Sequence, residues 1–378
     1  MKKKICFVTA TPSVAESFLK DHIIALNDNY DVYLATNLFA VGDASLLKIK
    51  DAYHIDLLRK ISIKNDLIAV WQLYRFFKQM KFAAVHSVTP KAGLITALAA
   101  WLSGVKHRVH IFTGQVWATR HGLMRFLLKS IDRIIALLDN HILVDGESQR
   151  KFLINNRIVK ADKSRVFGSG SICGVNTEKF NPSIEDRTRI RKQYNIEDGK
   201  IVFSFMGRMN KEKGIFELFE AFDNLVHDYP EAILVCWGRD EGNCMNYLSN
   251  YNNIVEGKNF FYYGLSTNPG FHLQASDIFV MPSYREGFGS SVIEASCLGI
   301  PVICSDAYGI MDAMVEGETG LRCKVADVRS LQNAMEILLL NNDLRKRLGE
   351  NGRKRVLEKF RGSMITAEWV KFYNCILS

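Results

Sequence analysis

Short apolar runs of strand length alternate with longer stretches of helical periodicity along the whole chain. In the first half, the apolar runs predict buried strands at residues 4–10, 30–36, 84–87, 108–112 and 141–144. Helical periodicity lies between them and is clearest at residues 66–80, 91–102 and 122–138. Strands that alternate with helices in this way are typical of βαβ units and a parallel sheet.

The alternation starts again after a glycine-rich segment, residues 168–176, which we interpret as a hinge. Further apolar runs predict strands at residues 201–206, 232–237, 259–263, 278–281, 301–304 and 320–322. The predicted fold is therefore α/β, with two Rossmann-like parallel-sheet domains facing each other across a deep cleft. We place the first domain at residues 1–176 and the second at 177–359, with a C-terminal helix at about 360–378 returning to the first.

Length and composition agree with a two-domain globular protein. The chain has 378 residues, of which 48% are hydrophobic and 24% are charged. Its eight cysteines include no Cys-x-x-Cys pair, so we expect free thiols in a reducing cytosol. The apolar run after Lys4 is too short for a signal peptide, and no run reaches the roughly 18 residues that a membrane-spanning helix needs. We therefore expect a cytoplasmic protein.

Positive charge is concentrated in the first half of the chain. Residues 1–180 hold 26 Lys and Arg against 14 Asp and Glu, a balance of +12, while the remainder holds 23 against 26. An anionic partner is expected, either nucleic acid or a membrane surface. Cations stand among bulky apolar residues at 71–81 and 120–133, a mixture that suits anionic lipid, and no nucleic-acid-binding module is recognisable.

The strongest chemical signal lies at residues 282–295. There a buried strand ends, the loop Glu286-Gly287-Phe288-Gly289 follows, and a helix begins near Ser290. The glycines let the backbone approach a ligand, and free N–H groups at the start of a helix bind anions. Glu294 has a purely structural alternative, because Ser291-x-x-Glu294 fits a capping box. Glu286 has no such alternative.

A second segment, residues 205–214, contains Gly207-Arg208 and Lys213 directly after a predicted strand. Together with the Glu286-x7-Glu294 spacing, it resembles the motifs of the family-4 (GT-B fold) retaining glycosyltransferases. The chain is similar to the bacterial O-antigen and capsule polysaccharide glycosyltransferases of that family. This resemblance extends along the whole chain and is specific over residues 201–320.

The resemblance implies how a nucleotide-diphosphate sugar is held. Arg208 and Lys213 would bind the donor diphosphate and, with Glu286, form the catalytic group. Glu286 would bind hydroxyls of the donor sugar and Glu294 those of the ribose. Backbone contacts with the donor are expected from Gly207, Gly287, Phe288, Gly289 and Ser290. No Asp-x-Asp occurs in the chain, so neither a metal nor another cofactor is expected, and fixed cations would stabilise the leaving group.

The first domain departs from the family pattern. Many relatives carry a histidine where this chain has Thr113, while His110 lies three residues earlier in a predicted strand and is expected to point away from the cleft. We expect Thr11, Thr113, Gly114 and Gln115 to line the acceptor side of the cleft, because they follow predicted strands.

The resemblance favours transfer of an N-acetylhexosamine from a UDP donor to a lipid-linked glycan. The enzyme would act in bacterial surface polysaccharide synthesis, peripherally on the inner face of the cytoplasmic membrane. GDP-mannose and other UDP-hexoses remain alternative donors. A sugar-nucleotide epimerase or phosphorylase of the same fold also remains open, as does a catalytically silent, membrane-associated binding subunit for glycan assembly.

Overall fold

The computed structural model describes residues 1–57 and 62–378. These residues form two compact units, Met1–Gly174 with Gly362–Ser378, and Val175–Arg361. The boundaries differ by two residues from those predicted at 176/177 and 359/360. The reason is a backbone contact at the crossing: the Val175 N–H donates to the Phe360 carbonyl over 2.7 Å, and Val175 forms a parallel bridge with Arg361.

The first unit is built on a seven-stranded parallel sheet with the order β3-β2-β1-β4-β5-β6-β7. Its strands are β1 (Lys3–Val8), β2 (Tyr30–Thr36), β3 (Asp51–His54), β4 (Ala84–Val88), β5 (His107–Phe112), β6 (His141–Val144) and β7 (Ser164–Arg165). Its helices are α1 (Pro12–Phe18), α2 (Lys20–Leu26), α3 (Ile63–Met80), α4 (Pro90–Ser103), α5 (Gly122–Leu138), α6 (Glu147–Asn155) and the C-terminal α14 (Gly362–Leu377).

Helices α3, α4 and α5 pack side by side, and α14 packs against α2. Helix α4 can lie between two neighbours because its sequence is rich in small residues, and Ala92, Ala97 and Ala100 are fully buried. Gly93 is needed for close packing, since a Cβ there would lie 2.5 Å from Cε1 of the His110 ring and 3.1 Å from Cδ1 of Ile135.

The second unit is built on a six-stranded parallel sheet with the order β10-β9-β8-β11-β12-β13. Its strands are β8 (Ile201–Met206), β9 (Ala232–Trp237), β10 (Phe260–Tyr262), β11 (Ile278–Met281), β12 (Val302–Ser305) and β13 (Gly320–Cys323). Its helices are α7 (Ile184–Gln193), α8 (Ile215–Asp228), α9 (Pro269–His272), α10 (Ser290–Cys297), α11 (Ile310–Ala313), α12 (Val328–Leu340) and α13 (Asn342–Lys359).

The core of the second unit is built from buried strands and from helices whose apolar residues recur with helical periodicity. The interior strand β9 is buried at every position, as expected for a strand covered on both faces. Helix α8 buries Leu218, Phe222 and Leu225, which recur at the spacing of one helical face. This packing fixes the ends of β8, β9 and β11, from which the functional loops depart.

Within the two described ranges, no helix combines the length and the apolar character that crossing a bilayer requires.

Candidate functional site

The site in the second unit lies at the carboxyl edge of its sheet, where β8 and β11 are neighbours. Ile278 and Phe279 of β11 pair with Phe203 and Ser204 of β8. The segment after β8 carries Arg208 and Lys213, and the segment after β11 carries Glu286. Parallel neighbouring strands therefore deliver the two sequence motifs to the same edge.

The two motifs are in direct backbone contact. Gly214 ends the short 3-10 turn Lys211–Lys213 with a φ of 69°, and a Cβ at this position would overlap the carbonyl group of Pro282. The Tyr284 N–H also donates to the Glu212 carbonyl oxygen over 2.9 Å. This contact explains why a glycine follows Lys213.

Charged side chains bridge the same two loops. Lys213 Nζ donates to Glu286 Oε1, and both side chains are largely buried, with 17% and 13% of their surface exposed. Beside them, Arg285 pairs with Glu212 at 2.6 Å. The sequence placed Lys213 and Glu286 at one edge, and the structure joins them as an ion pair.

Arg208 stands at a more open position of the same edge. Its side chain is half exposed, and its guanidinium pairs with Glu241 Oε2 at 3.1 Å. Glu241 lies in the turn after β9, where Gly238 approaches Gly207 so closely that a Cβ would overlap the Gly207 carbonyl. Sequence reasoning missed Glu241, although its place after a buried strand in the Gly238–Gly242 turn was a usable signal.

Helix α10 begins at Ser290, directly after Gly289, whose φ of 92° only glycine adopts without strain. The loop is anchored by Phe288, which is buried and packs edge-on against Phe360 with ring centroids 5.3 Å apart. The capping-box interpretation of Ser291 and Glu294 is wrong. Ser291 lies inside the helix, Gly289 is the N-cap, and no side chain caps the N-terminus.

Glu294 lies one turn into α10 and is partly buried. Loss of water around its carboxyl group raises the pKa from 4.5 to about 7, and Lys179 opposes this shift. A carboxyl group in this state can receive a hydrogen bond from a ligand hydroxyl at little further desolvation cost, which suits the role that the family resemblance implies.

The edge thus brings the two expected cations, Arg208 and Lys213, together with the carboxyl groups of Glu286 and Glu294 and the N-terminus of α10. Cations and helix N–H groups bind the oxygens of a diphosphate, and carboxylates accept hydrogen bonds from sugar hydroxyls. Across the described parts of the chain, no three His, Cys, Asp or Glu side chains are grouped so that they could hold a metal ion.

The four residues of the first unit that were expected to line the acceptor side differ in their exposure to solvent. Thr11 and Thr113 are partly exposed at the ends of β1 and β5. Gly114 is buried with a φ of 105°. Gln115 is fully buried, and its Oε1 accepts a hydrogen bond from Gln149 of α6 at 3.2 Å. Its side chain therefore supports the loop from inside, contrary to the expectation of a surface group.

His110 is fully buried within the first unit, where its Nδ1 lies 2.8 Å from the Ser87 hydroxyl. Burial lowers its pKa to about 3, so the ring is neutral at neutral pH. It belongs to the core between β4, β5 and α4, and it is not a surface substitute for the family histidine.

Solved structures share the fold of this chain over nearly its whole length. HepE of Anabaena in complex with UDP and glucose superposes with a TM-score of 0.80 at 17% identity, covering 98% of this chain and 99% of that one. WaaG, a glycosyltransferase involved in lipopolysaccharide biosynthesis, superposes with a TM-score of 0.76 at 13% identity, covering 97% and 98%. The predicted fold class of two Rossmann-like parallel-sheet domains, GT-B, is confirmed.

Sequence comparison gives the family. The model described as Glycosyl transferases group 1 matches residues 186–355. The capsular polysaccharide biosynthesis glycosyltransferase CapM of Staphylococcus aureus is 30% identical, with 100% of this chain and 98% of CapM aligned. A UDP-Gal:alpha-D-GlcNAc-diphosphoundecaprenol alpha-1,3-galactosyltransferase of Escherichia coli is 26% identical over 95% and 93%. The chain therefore belongs to the group 1 glycosyltransferases and is itself a glycosyltransferase.

Proposed function

We propose that this glycosyltransferase moves an N-acetylhexosamine from a UDP donor to a lipid-linked glycan, with retention of configuration and without a metal ion. It would act in bacterial surface polysaccharide synthesis, at the inner face of the cytoplasmic membrane. The observation that carries the proposal is the assembly of Arg208, Lys213, Glu286 and the start of α10 at one sheet edge.

In this proposal, Arg208, Lys213 and the first N–H groups of α10 hold the donor diphosphate. The bond from the anomeric carbon to the phosphate oxygen breaks, and negative charge grows on the departing UDP. Fixed cations stabilise that charge and lower the barrier. The acceptor hydroxyl attacks from the same face and gives its proton to the departing phosphate oxygen, so no nucleophile from the protein is required.

Glu286 and Glu294 orient the donor. Glu286 accepts hydrogen bonds from hydroxyl groups of the sugar while it keeps its ion pair with Lys213. Glu294 receives the ribose hydroxyls. The sugar and the nucleotide are thereby placed on either side of the diphosphate, which holds the anomeric carbon in a reactive position.

The acceptor assignment is supported by the activities of two relatives and by the charge of the first half of the chain. The Escherichia coli relative acts on a diphosphoundecaprenol-linked sugar, as does an N,N'-diacetylbacillosaminyl-diphospho-undecaprenol transferase of Campylobacter jejuni, 26% identical over 81% of this chain. The first half of the chain has a net charge of +12, which suits a diphospholipid substrate and an anionic membrane.

Calorimetric titration with UDP, GDP and ADP in excess EDTA tests the proposal. We expect UDP alone to bind clearly, and the binding to be lost in Arg208→Ala. Preference for GDP would show that the donor is a GDP-sugar and not a UDP-sugar. Binding that appears only when Mg²⁺ is restored would refute metal independence.

A further inference from the structure

Helix α5 of the first unit carries an apolar stripe that no described residue covers. Leu123, Leu127, Ile134 and Leu137 recur at positions i, i+4, i+11 and i+14, which places them on one face. Between 41% and 78% of each side chain is exposed, and Phe126 beside them is 62% exposed. A stripe of this length is buried in most helices of soluble proteins.

Cations run along one side of this stripe. Arg125, Lys129 and Arg133 are spaced by four residues, and none of them forms an ion pair with any residue of the described ranges. Arg125 and Lys129 lie over the ring of Trp117, at 5.5 Å and 5.2 Å from its centroid. The cations are therefore held in place beside the apolar face.

No exposed negative charge on α5 balances this row. The one acidic residue of the helix, Asp132, is buried and accepts a hydrogen bond from Trp117 Nε1 at 2.7 Å. The exposed surface of α5 thus consists of large apolar side chains with positive charge along one margin.

The first half of α3 repeats this composition. Ile63, Leu67 and Trp71 are between 56% and 76% exposed, and Arg75 lies over the Trp71 ring at 4.8 Å. Both helices pack against α4. Helices of parallel crossovers run opposite to the strands, so the N-terminal halves of α3 and α5 lie at the carboxyl edge of the sheet.

We propose that the α5 stripe, together with the start of α3 on the other side of α4, is a bilayer-insertion surface that lies in the interface of an anionic membrane. This inference rests on the proposed function, because a lipid-linked acceptor brings the enzyme to the membrane. The apolar side chains enter the acyl boundary, and Arg125, Lys129 and Arg133 contact lipid phosphates. Packing within the described residues does not cover the stripe, and no exposed negative charge on α5 balances the cations beside it.

Charge complementarity favours the bilayer over a second copy of the chain. In a two-fold dimer through α5, the same surface would face itself, so both rows of cations would be brought to one interface without an exposed carboxylate of α5 to pair with them. Like charges that face each other at an interface oppose association. Anionic headgroups satisfy the row instead.

The position of α5 relative to β5 determines which edge of the first unit would face a lipid-linked acceptor. Helix α5 follows β5 through Thr113 and the Trp117 turn, so the stripe begins close to the end of β5, after which Thr113 comes directly. Insertion of the first turns of α5 places this edge of the unit at headgroup level. A sugar diphosphate linked to a membrane lipid lies at that depth.

The test compares Leu123→Ser/Phe126→Ser with a control, Ile337→Ser/Leu340→Ser on α12. The control residues have the same spacing and are 50% and 62% exposed, but they belong to the second unit. Sedimentation of the full chain is measured with vesicles containing phosphatidylglycerol and with vesicles of phosphatidylcholine alone. The α5 double variant should bind phosphatidylglycerol vesicles at least about tenfold more weakly, since each loss removes a large apolar group from the bilayer. The control should bind like the wild type.

A further measurement follows the position of the helix directly. The variant Phe126→Trp should shift its emission to shorter wavelength on phosphatidylglycerol vesicles and become accessible to lipid-borne quenchers. Equal binding by the α5 variant and the wild type would overturn the inference. So would a concentration-dependent dimer that the α5 variant abolishes, because the stripe would then be a subunit interface.

Titration of the α5 variant with UDP separates the two proposals. If UDP binds normally while vesicle binding is unchanged, the insertion surface is refuted and the transferase proposal stands. If no nucleotide binds to the wild type, the transferase proposal fails, whatever the vesicles show.

Discussion

Lys213 and Glu286 neutralise each other at the sheet edge, whereas Arg208 is half exposed and paired with Glu241. Removal of Arg208 leaves the partly exposed Glu241 carboxylate, whereas removal of Lys213 leaves the largely buried Glu286 carboxylate without this ion pair. Removal of Arg208 or Lys213 by substitution with Ala should reduce turnover by on the order of 100-fold or more, because stabilisation of the departing diphosphate is lost. Steady-state kinetics with a UDP-sugar donor measures this effect.

Arg347→Ala is the matched control for these two variants. Arg347 is an exposed cation on α13 of the same unit and carries none of the site. Thermal unfolding should be nearly unchanged in Arg208→Ala and Arg347→Ala, but it should occur at a lower temperature in Lys213→Ala, which leaves the largely buried Glu286 carboxylate without its partner. Turnover should fall only in the two site variants. Near-normal turnover in both site variants would remove the diphosphate assignment.

Glu294 gives the site a pH dependence. Its pKa is raised to about 7 by burial, and in the proposed function its carboxylate form receives the ribose hydroxyls. Affinity for UDP-N-acetylglucosamine should therefore weaken below pH 7, by roughly tenfold per pH unit. Glu294→Gln should give a flat profile in the same calorimetric series. A wild-type profile that is equally flat would separate Glu294 from the ligand.

The same shift affects stability in a defined direction. The pKa of the folded protein, about 7, exceeds the ordinary value of 4.5, so folding favours the protonated carboxyl group. The contribution of protonated Glu294 to the free energy of unfolding is fully present below the ordinary pKa of 4.5, and it is lost as the pH rises through about 7. Glu294→Gln, which cannot ionise, should consequently gain Tm relative to the wild type on the alkaline side only.

At the level of secondary-structure elements, Gly214 couples the loop after β8 to the loop after β11. Both Gly214 and Gly199 have positive φ angles, 69° and 84°, but a Cβ at Gly199 meets nothing within 4 Å, whereas one at Gly214 overlaps Pro282. Gly199→Ala therefore measures the backbone cost alone. Gly214→Ala should destabilise the second unit by roughly 1–3 kcal/mol more, and it should also weaken UDP binding. Urea unfolding and calorimetry provide the two readings, and equal losses of stability would show that the contact is unimportant.

Buried strands were predictable because their residues are apolar without interruption. The predicted bounds of β2, β6, β8, β9 and β11 agree with the structure. Strands β3 and β7 were missed for physical reasons. The segment Asp51–His54 lies at the sheet edge and has no fully buried residue, and Ser164–Arg165 is only two residues long.

Side-chain partners were less predictable than elements. Spacing placed Lys213, Glu286 and Arg208 at strand ends, where the structure has them. It could not reveal that Lys213 and Glu286 form a pair, since a contact between residues 73 positions apart depends on the strand order. The Ser291 capping box failed because α10 has Gly289, two residues earlier, as its N-cap. Gln115 turned inward because Gln149 of α6 lies beneath it.

At the scale of the whole molecule, the second half of the chain returns to complete the first unit. Trp369 of α14 is fully buried there, stacked between His22 and His86 at centroid distances of 4.6 Å and 4.9 Å. Its Nε1–H donates to the Ile172 carbonyl over 3.2 Å. The first unit thus depends on a helix that follows 187 residues of the second unit in the chain.

Trp369→Ala should destabilise the first unit by about 3–5 kcal/mol, because a large buried side chain leaves a cavity. Trp101→Ala, in α4 of the same unit and 56% exposed, should have little effect. Differential scanning calorimetry distinguishes the units, because UDP should raise only the transition of the second. If Trp369→Ala lowers the transition temperature of the first unit and leaves the UDP-sensitive transition unchanged, α14 stabilises the first unit separately from the second. A single transition that shifts as a whole would instead show that the two units unfold together.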